Sequence, residues 1–126
     1  MLSRVEVEGR SDGDFTKFYT GLYHTLLMPT LASDVDGSYL GMDMAVHVAT
    51  GFDYYTDFSL WDTFRSEHPL MSLVYPEYQR DFVRSLVRMG EDGGYVDRWP
   101  LGPGYTEGMV GESADVVFAD SWLAIF

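Results

Sequence analysis

Between Phe15 and Leu27, the residues Phe15, Phe18, Tyr19, Leu22, Tyr23, Leu26 and Leu27 recur at steps of three and four. That spacing predicts a helix with one apolar face, opened by Ser11 or Asp14 and stopped before Pro29. Its aromatic side chains are expected in a core. The residues before it are polar, and Val5-Glu6-Val7-Glu8 alternates like a short strand or a linker. Residues 30–57 lack helical period, with Gly37, Gly41 and Gly51 separating short β-prone pieces. They read as a long loop holding a small hairpin whose turn lies near Ala49-Thr50-Gly51. A loop of that length inside a compact unit is usually functional.

A second helix is predicted from Ser59 through Val74, bent or broken near Pro69. A third opens at Pro76 and runs to Gly93-Gly94, with Tyr78, Phe82, Val83, Leu86 and Val87 as its buried stripe. Arg80, Arg84 and Arg88 stand at four-residue steps, the mark of a solvated face. Residues 95–111 are rich in Gly and Pro and read as loop. The last helix, residues 112–126, is apolar all round its final turn, and neither a glycine stop nor a cationic cap follows. It is therefore expected to continue into further chain. The pattern as a whole is mainly α: about four helices with long loops and a small β-hairpin.

At 126 residues the chain is the size of one ordinary domain. It is 46% hydrophobic and 16% aromatic, with nine Tyr, eight Phe and three Trp, which excludes a disordered chain. A net charge of −12 argues against nucleic acid or an anionic membrane as partner, because a phosphate surface repels it. A neutral or cationic ligand suits it better. The absence of Cys removes disulfides and thiolate metal sites. No apolar core of a secretion signal and no run of about 18 apolar residues is present, and the compartment stays open.

Four stretches carry a resemblance. They are FYTGLYHTLLMPTLASDVDGSYLG at 18–41, YYTDFSLWDTFRSEHPLMSLVYPE at 54–77, GGYVDRWPLGPGYTEGMVG at 93–111 and ADVVFAD at 114–120. In order and approximate spacing they resemble glycoside hydrolase family 92, the calcium-dependent exo-α-mannosidases. The resemblance implies a catalytic domain of (α/α)6-barrel type, of which this chain supplies a part. Residues 1–14 then form an N-terminal linker, and residues 15–126 a partial catalytic domain truncated at its C-terminus. The remainder of the parent catalytic domain becomes a partner, and the last helix is expected to be covered on all sides. The implied activity is inverting hydrolysis of terminal α-mannosyl linkages of N-glycans or mannans.

In inverting enzymes an acid protonates the leaving oxygen while a base across the sugar activates water, the carboxyls being about 6.5–9.5 Å apart. The resemblance places the general acid in a motif like G-E-T-x-C-M-x-G. Here Gly104-Tyr105-Thr106-Glu107-Gly108-Met109-Val110-Gly111 aligns with it, putting Tyr105 where the Glu belongs. A phenol with a pKa of about 10 is a poor donor at neutral pH. Three readings follow: Glu107, two places later, takes over; the leaving group needs no proton, as in a mannose-1-phosphodiester; or the chain is an inactive carbohydrate-binding remnant. The bland reading of Glu107 is a solvated charge near a helix start.

The resemblance also implies calcium, with its ligands and the catalytic base expected mostly beyond Phe126, so no metal ligand is assigned within the chain and the isolated chain is expected to be inactive. Asp34-Val35-Asp36-Gly37 fails the EF-hand pattern and reads as a turn held by Asp side chains. His24 and His47 lack partners at ligand spacing.

A sugar site needs an aromatic face for C–H stacking, with carboxylate and guanidinium groups for hydroxyls. Trp61, Asp62 and Arg65 in FSLWDTFRSEHP supply those types. Trp61-Asp62 is read as pocket rather than core, binding a mannose-containing glycan. Trp99, in Arg98-Trp99-Pro100, stands open between sugar platform and structure. His68 reads as a helix-end hydrogen-bond donor rather than a catalyst.

Overall fold

The computed structural model describes residues 1–9 and 11–126. It is mainly helical, with three two-stranded sheets. After a 3-10 turn at Leu2–Arg4 comes α1 (Asp12–His24). Ser11 caps it by accepting from the Asp14 N–H, and Asp12 and Asp14 place negative charge at its positive end. Of its apolar face only Leu22 is fully buried, while Phe18 and Tyr23 remain exposed. The expected aromatic core of this helix is thus only half realised, because a single helix face meets little of the rest of the chain.

The segment read as one hairpin holds two pairings. Strands β1 (Thr30–Leu31) and β4 (Tyr55–Thr56) pair antiparallel around the hairpin of β2 (Ser38–Leu40) and β3 (Val46–Val48). The hairpin turns at residues 41–45, and not at 49–51 as expected. There the Asp43 carboxylate accepts from the Ala45 N–H, Met44 takes a left-handed φ of 63°, and Gly41 N–H bonds Ala45 O. Tyr39 faces inward and stacks on Tyr54 at 3.8 Å and on His47 at 5.6 Å. His47 lies 3.0 Å from Asp43 and 4.0 Å from Asp92, so it has carboxylate partners that sequence spacing did not show.

The predicted second helix is two: α2 (Leu60–Thr63) and α3 (Glu67–Val74). The break falls at residues 64–66, upstream of Pro69. Proline occupies the first turn of α3, where its missing N–H is no loss. Helix α4 (Pro76–Gly93) has the predicted bounds, with Pro76 first and Gly94 left-handed at φ 92° closing it. Its buried stripe is Gln79, Phe82, Ser85, Leu86 and Met89, rotated from the expected one so that Val87 is exposed. The arginine row is not simply solvated. Arg88 donates to Tyr39 Oη and pairs with Glu91 and Asp92, while Arg84 donates to Gly51 O.

A hairpin of β5 (Pro100–Leu101) and β6 (Gly104–Tyr105) precedes α5 (Ser113–Ile125). Small residues Ser113, Val117 and Ser121 seat α5 on α3 and α4. At that junction three buried polar side chains form a relay across the helices. His68 Nδ1 bonds Gln79 Oε1 at 3.0 Å, and Gln79 Nε2 donates to Ser121 Oγ at 2.9 Å. His68 is therefore an interior residue pairing with the next helix, rather than a helix-end donor. The opposite side of α5 is open: Trp122 is 68% and Leu123 87% exposed. The expected cover on all sides is not supplied by these residues. Beside it, a groove of about 740 Å³ runs between α4 and α5, lined by Val83, Val87, Phe118, Trp122 and Phe126. No helix among the described residues is long and apolar enough to cross a membrane.

Candidate functional site

Phe58 and Leu60, both fully buried, anchor the start of α2 in the core. Just beyond these anchors the chain presents Trp61 and Asp62 outward. Trp61 is 38% exposed, which removes it from the core. Arg65 folds back over it: its guanidinium lies 4.3 Å from the Trp61 ring and donates to Trp61 O at 2.8 Å. That cation–π contact covers one ring face, and over a third of the residue's surface stays open to solvent. Asp62 is exposed, and one oxygen accepts from Ser59 Oγ. The FSLWDTFRSEHP stretch is thus both things: buried at Phe58, Leu60 and His68, and open at Trp61 and Asp62.

A second loop lies against this one. Leu60 N–H donates to Arg98 O at 3.1 Å, so the turn carrying Trp61 adjoins the turn carrying Trp99, which is half-buried. Past Pro100 the β5–β6 hairpin brings Tyr105. Its ring stacks on Tyr95 at 4.2 Å and its hydroxyl donates to Tyr95 O at 3.2 Å. The phenol end presses on Gly93, where a Cβ would lie 1.6 Å from the hydroxyl oxygen. Burial pushes the Tyr105 phenol above its usual value, further from neutral-pH proton donation. Glu107 is exposed with a left-handed φ of 54°, and its carboxylate makes no hydrogen bond or ion pair among the described residues. Trp61, Asp62 and Arg65 therefore stand on and just after α2, bonded through Leu60 to the segment that carries Trp99, Tyr105 and Glu107.

Sequence reasoning missed Glu67. It lines a cavity of about 270 Å³ with His24, Leu27, Asp57, Phe58 and Ser59, reaching α2 at Thr63. Burial raises its pKa to about 7. The folded chain then holds a proton between about pH 4.5 and 7 that the unfolded chain has released, so this contribution to stability is lost as pH rises through that window. Glu67→Gln is expected to remove the slope and to stabilise the chain at pH 8 by about 1 kcal/mol. That figure is discounted for partial exposure and for the favourable helix N-terminus. Urea unfolding of both proteins at pH 5 and pH 8 measures it.

The Asp34–Gly37 segment is a turn. Asp34 Oδ1 accepts from Val35 N–H, Asp36 Oδ1 from Ser38 N–H, and Gly37 adopts φ 84° with Ala49 O against its Cα. Among the described residues no group of three or more His, Asp or Glu side chains could hold a metal ion.

The catalytic-domain model of glycosyl hydrolase family 92 matches residues 1–125. A family GH92 α-mannosidase of Bacteroides thetaiotaomicron in complex with mannoimidazole superposes with a TM-score of 0.90. It is 32% identical, over 99% of this chain and 17% of that one. An inverting mannosidase of the same family from Bacteroides thetaiotaomicron VPI-5482 gives a TM-score of 0.85 at 35% identity, over 97% and 17% of the two chains. The family glycosyl hydrolase ccman5 gives 0.75 at 33%, over 95% and 17%. None of the curated protein sequences matches. The chain belongs to glycosyl hydrolase family 92. It spans 16–17% of the length of the solved structures it matches.

Proposed function

We propose that the chain forms the sugar-gripping part of an inverting exo-α-mannosidase acting on terminal α-mannosyl linkages of N-glycans or mannans with the help of calcium. The observation that carries this is the outward Trp61-Asp62 pair on α2, bonded through Leu60 and Arg98 to the segment of Trp99, Tyr105 and Glu107. The open ring face of Trp61 stacks on the sugar, Asp62 accepts from its hydroxyls, and Trp99 closes the side. Glu107 is the carboxyl that can protonate a leaving oxygen. Among the described residues no group of side chains fits the oxygen donor set that calcium needs. The base and the metal's ligands belong to other residues of a parent catalytic domain. That domain is an (α/α)6 barrel, in which the groove between α4 and α5 receives a neighbouring helix.

One observation favours a second reading. Tyr105 stands at the acid position yet is pinned on Tyr95 and Gly93 with a raised pKa. A phosphate leaving group departs as a stable anion without a proton, so mannose-1-phosphodiester hydrolysis needs no acid there.

Two measurements test the readings. Methyl α-mannoside and mannoimidazole are expected to bind the chain, and Trp61→Ala or Asp62→Ala to weaken that binding about tenfold or more, the worth of one stacked or charge-assisted contact. Equal binding of a galactoside, or indifference to both substitutions, contradicts the site. Alkyl α-mannosides are expected to survive incubation with the chain, with and without calcium; their turnover overturns the division of labour. Release of phosphate monoester from a mannosyl phosphodiester supports the second reading.

A further inference from the structure

Asp97 lies in the Gly- and Pro-rich loop, yet it is only 2% exposed. Both its oxygens are engaged: Oδ1 accepts from Arg98 N–H and Oδ2 from Thr106 N–H, each at 2.8 Å. Thr106 continues the chain of contacts. Its hydroxyl donates to Trp99 O and accepts from Gly108 N–H. Glu107 sits between the two residues so held, which fixes its left-handed backbone. Four residues before Thr106, the hairpin tip at Gly102 is held by residues that precede Trp61. Thr56 Oγ1 donates to Gly102 O at 2.7 Å and Asp57 Oδ1 accepts from Gly102 N–H at 2.9 Å. Asp57 itself takes a φ of 62°, a left-handed conformation unusual for a residue with a side chain.

We propose that Asp57 and Asp97 are positioning residues that together form a clasp, Asp97 holding the Trp99–Glu107 hairpin in shape and Asp57 fastening its tip to the lead into α2, so that Trp61-Asp62 are set in register with Trp99 and Glu107. The clasp rests on the sugar-site reading for its purpose and on hydrogen bonds alone for its existence. Each half does a separate task. Asp97 shapes the hairpin by tying its beginning, at Arg98, to its end, at Thr106. Asp57, with Thr56, bolts the hairpin tip to the three-residue lead into α2. A buried carboxylate costs desolvation unless donors surround it, and here the backbone supplies them. The left-handed Asp57 is strain retained where its side chain has a partner.

The discriminating variant is Asp57→Gly. Glycine relieves the left-handed backbone, so a residue that only shapes the chain would be replaced without loss or with a gain in melting temperature. Losing a hydrogen bond to a charged acceptor is instead expected to quicken amide exchange at Gly102 about tenfold, with faster exchange spreading to Thr106 and Gly108. Mannoimidazole affinity falls by a similar factor while the melting temperature holds. Asp57→Asn keeps the acceptor and tolerates the same φ, and is expected to restore both exchange and affinity. Asp97→Asn, which can accept from only one of its two donors, loosens Thr106 first. If mannoimidazole does not bind the unaltered chain, the sugar-site reading fails while the exchange pattern still decides the clasp. The clasp is overturned if Asp57→Gly exchanges and binds like the unaltered chain, or if Asp57→Asn behaves like Asp57→Gly.

Discussion

Gly93→Ala is expected to lower stability by about 3 kcal/mol, a large effect for one methyl group, because the space it needs is filled. The new Cβ would lie 1.6 Å from Tyr105 Oη, 2.6 Å from the ring carbon bearing it and 2.8 Å from Met42 Cβ. Two of these atoms belong to a ring already stacked on Tyr95. Relief requires Tyr105 to leave its seat, forfeiting the stack and the hydrogen bond to Tyr95 O, or α4 to shift against the β2–β3 turn. Combining Gly93→Ala with Tyr105→Ala should cost much less than the sum of the two singles, since both act on one contact. Urea unfolding of the four proteins gives the coupling. A loss below about 0.5 kcal/mol, the scale of an ordinary surface substitution, would show that Tyr105 is not seated there. The consequence for the proposed function is direct: Tyr105, which the motif resemblance aligns with the general acid, is a packed structural ring, and Gly93 is what admits it.

The second large effect is at Gln79. Gln79→Met keeps the volume but removes the partner of His68 Nδ1 and the donor to Ser121 Oγ, both buried. Stranding the imidazole is expected to cost about 2–4 kcal/mol, whereas removing the whole relay (His68→Leu, Gln79→Met, Ser121→Ala) should cost less than the single change. The relay also carries pH dependence. Burial lowers the His68 pKa, with Gln79 and then Asp120 opposing. The unfolded chain therefore binds a proton that the folded chain refuses, and stability falls as pH drops below about 6.5, the unfolded histidine value. Glu67, next in sequence, slopes the opposite way over about pH 4.5 to 7, so the histidine limb is cleanest in the Glu67→Gln background. Adding His68→Leu to that background should flatten the acid side.

How much of this was legible follows from where each signal resides. Helix α4 was readable because Pro76 and Gly94 mark its ends locally and its period is unbroken. The hairpin turn was misplaced because the sequence offers Gly51 as the obvious bend, while the real turn is made by the Asp43 side chain holding Ala45 N–H with Met44 left-handed. The break before α3 was misplaced for a similar reason: Pro69 looks like an interruption but sits where proline is harmless. Residue type suggested that Trp61 and Asp62 face a ligand rather than the core, and both are exposed. Arg65 was expected to bind sugar hydroxyls, and its place over Trp61 depends on a backbone carbonyl four residues back. Asp97 and His68 left no local trace. Their partners, Thr106 and Gln79, are reached only after the chain has folded back, and a carboxylate in a Gly- and Pro-rich loop reads as solvated.

The three tryptophans offer the most direct test of the central claim, that α2 and the adjoining loop form one wall of a mannose pocket. Trp61 lies on α2 and Trp99 on that loop, while Trp122 lies on the open face of α5. With the indole N–H signals assigned by nuclear magnetic resonance, mannoimidazole should shift Trp61 and Trp99 along one common saturation curve while Trp122 stays fixed. Movement of Trp122 alone, or separate curves for Trp61 and Trp99, would contradict a shared pocket.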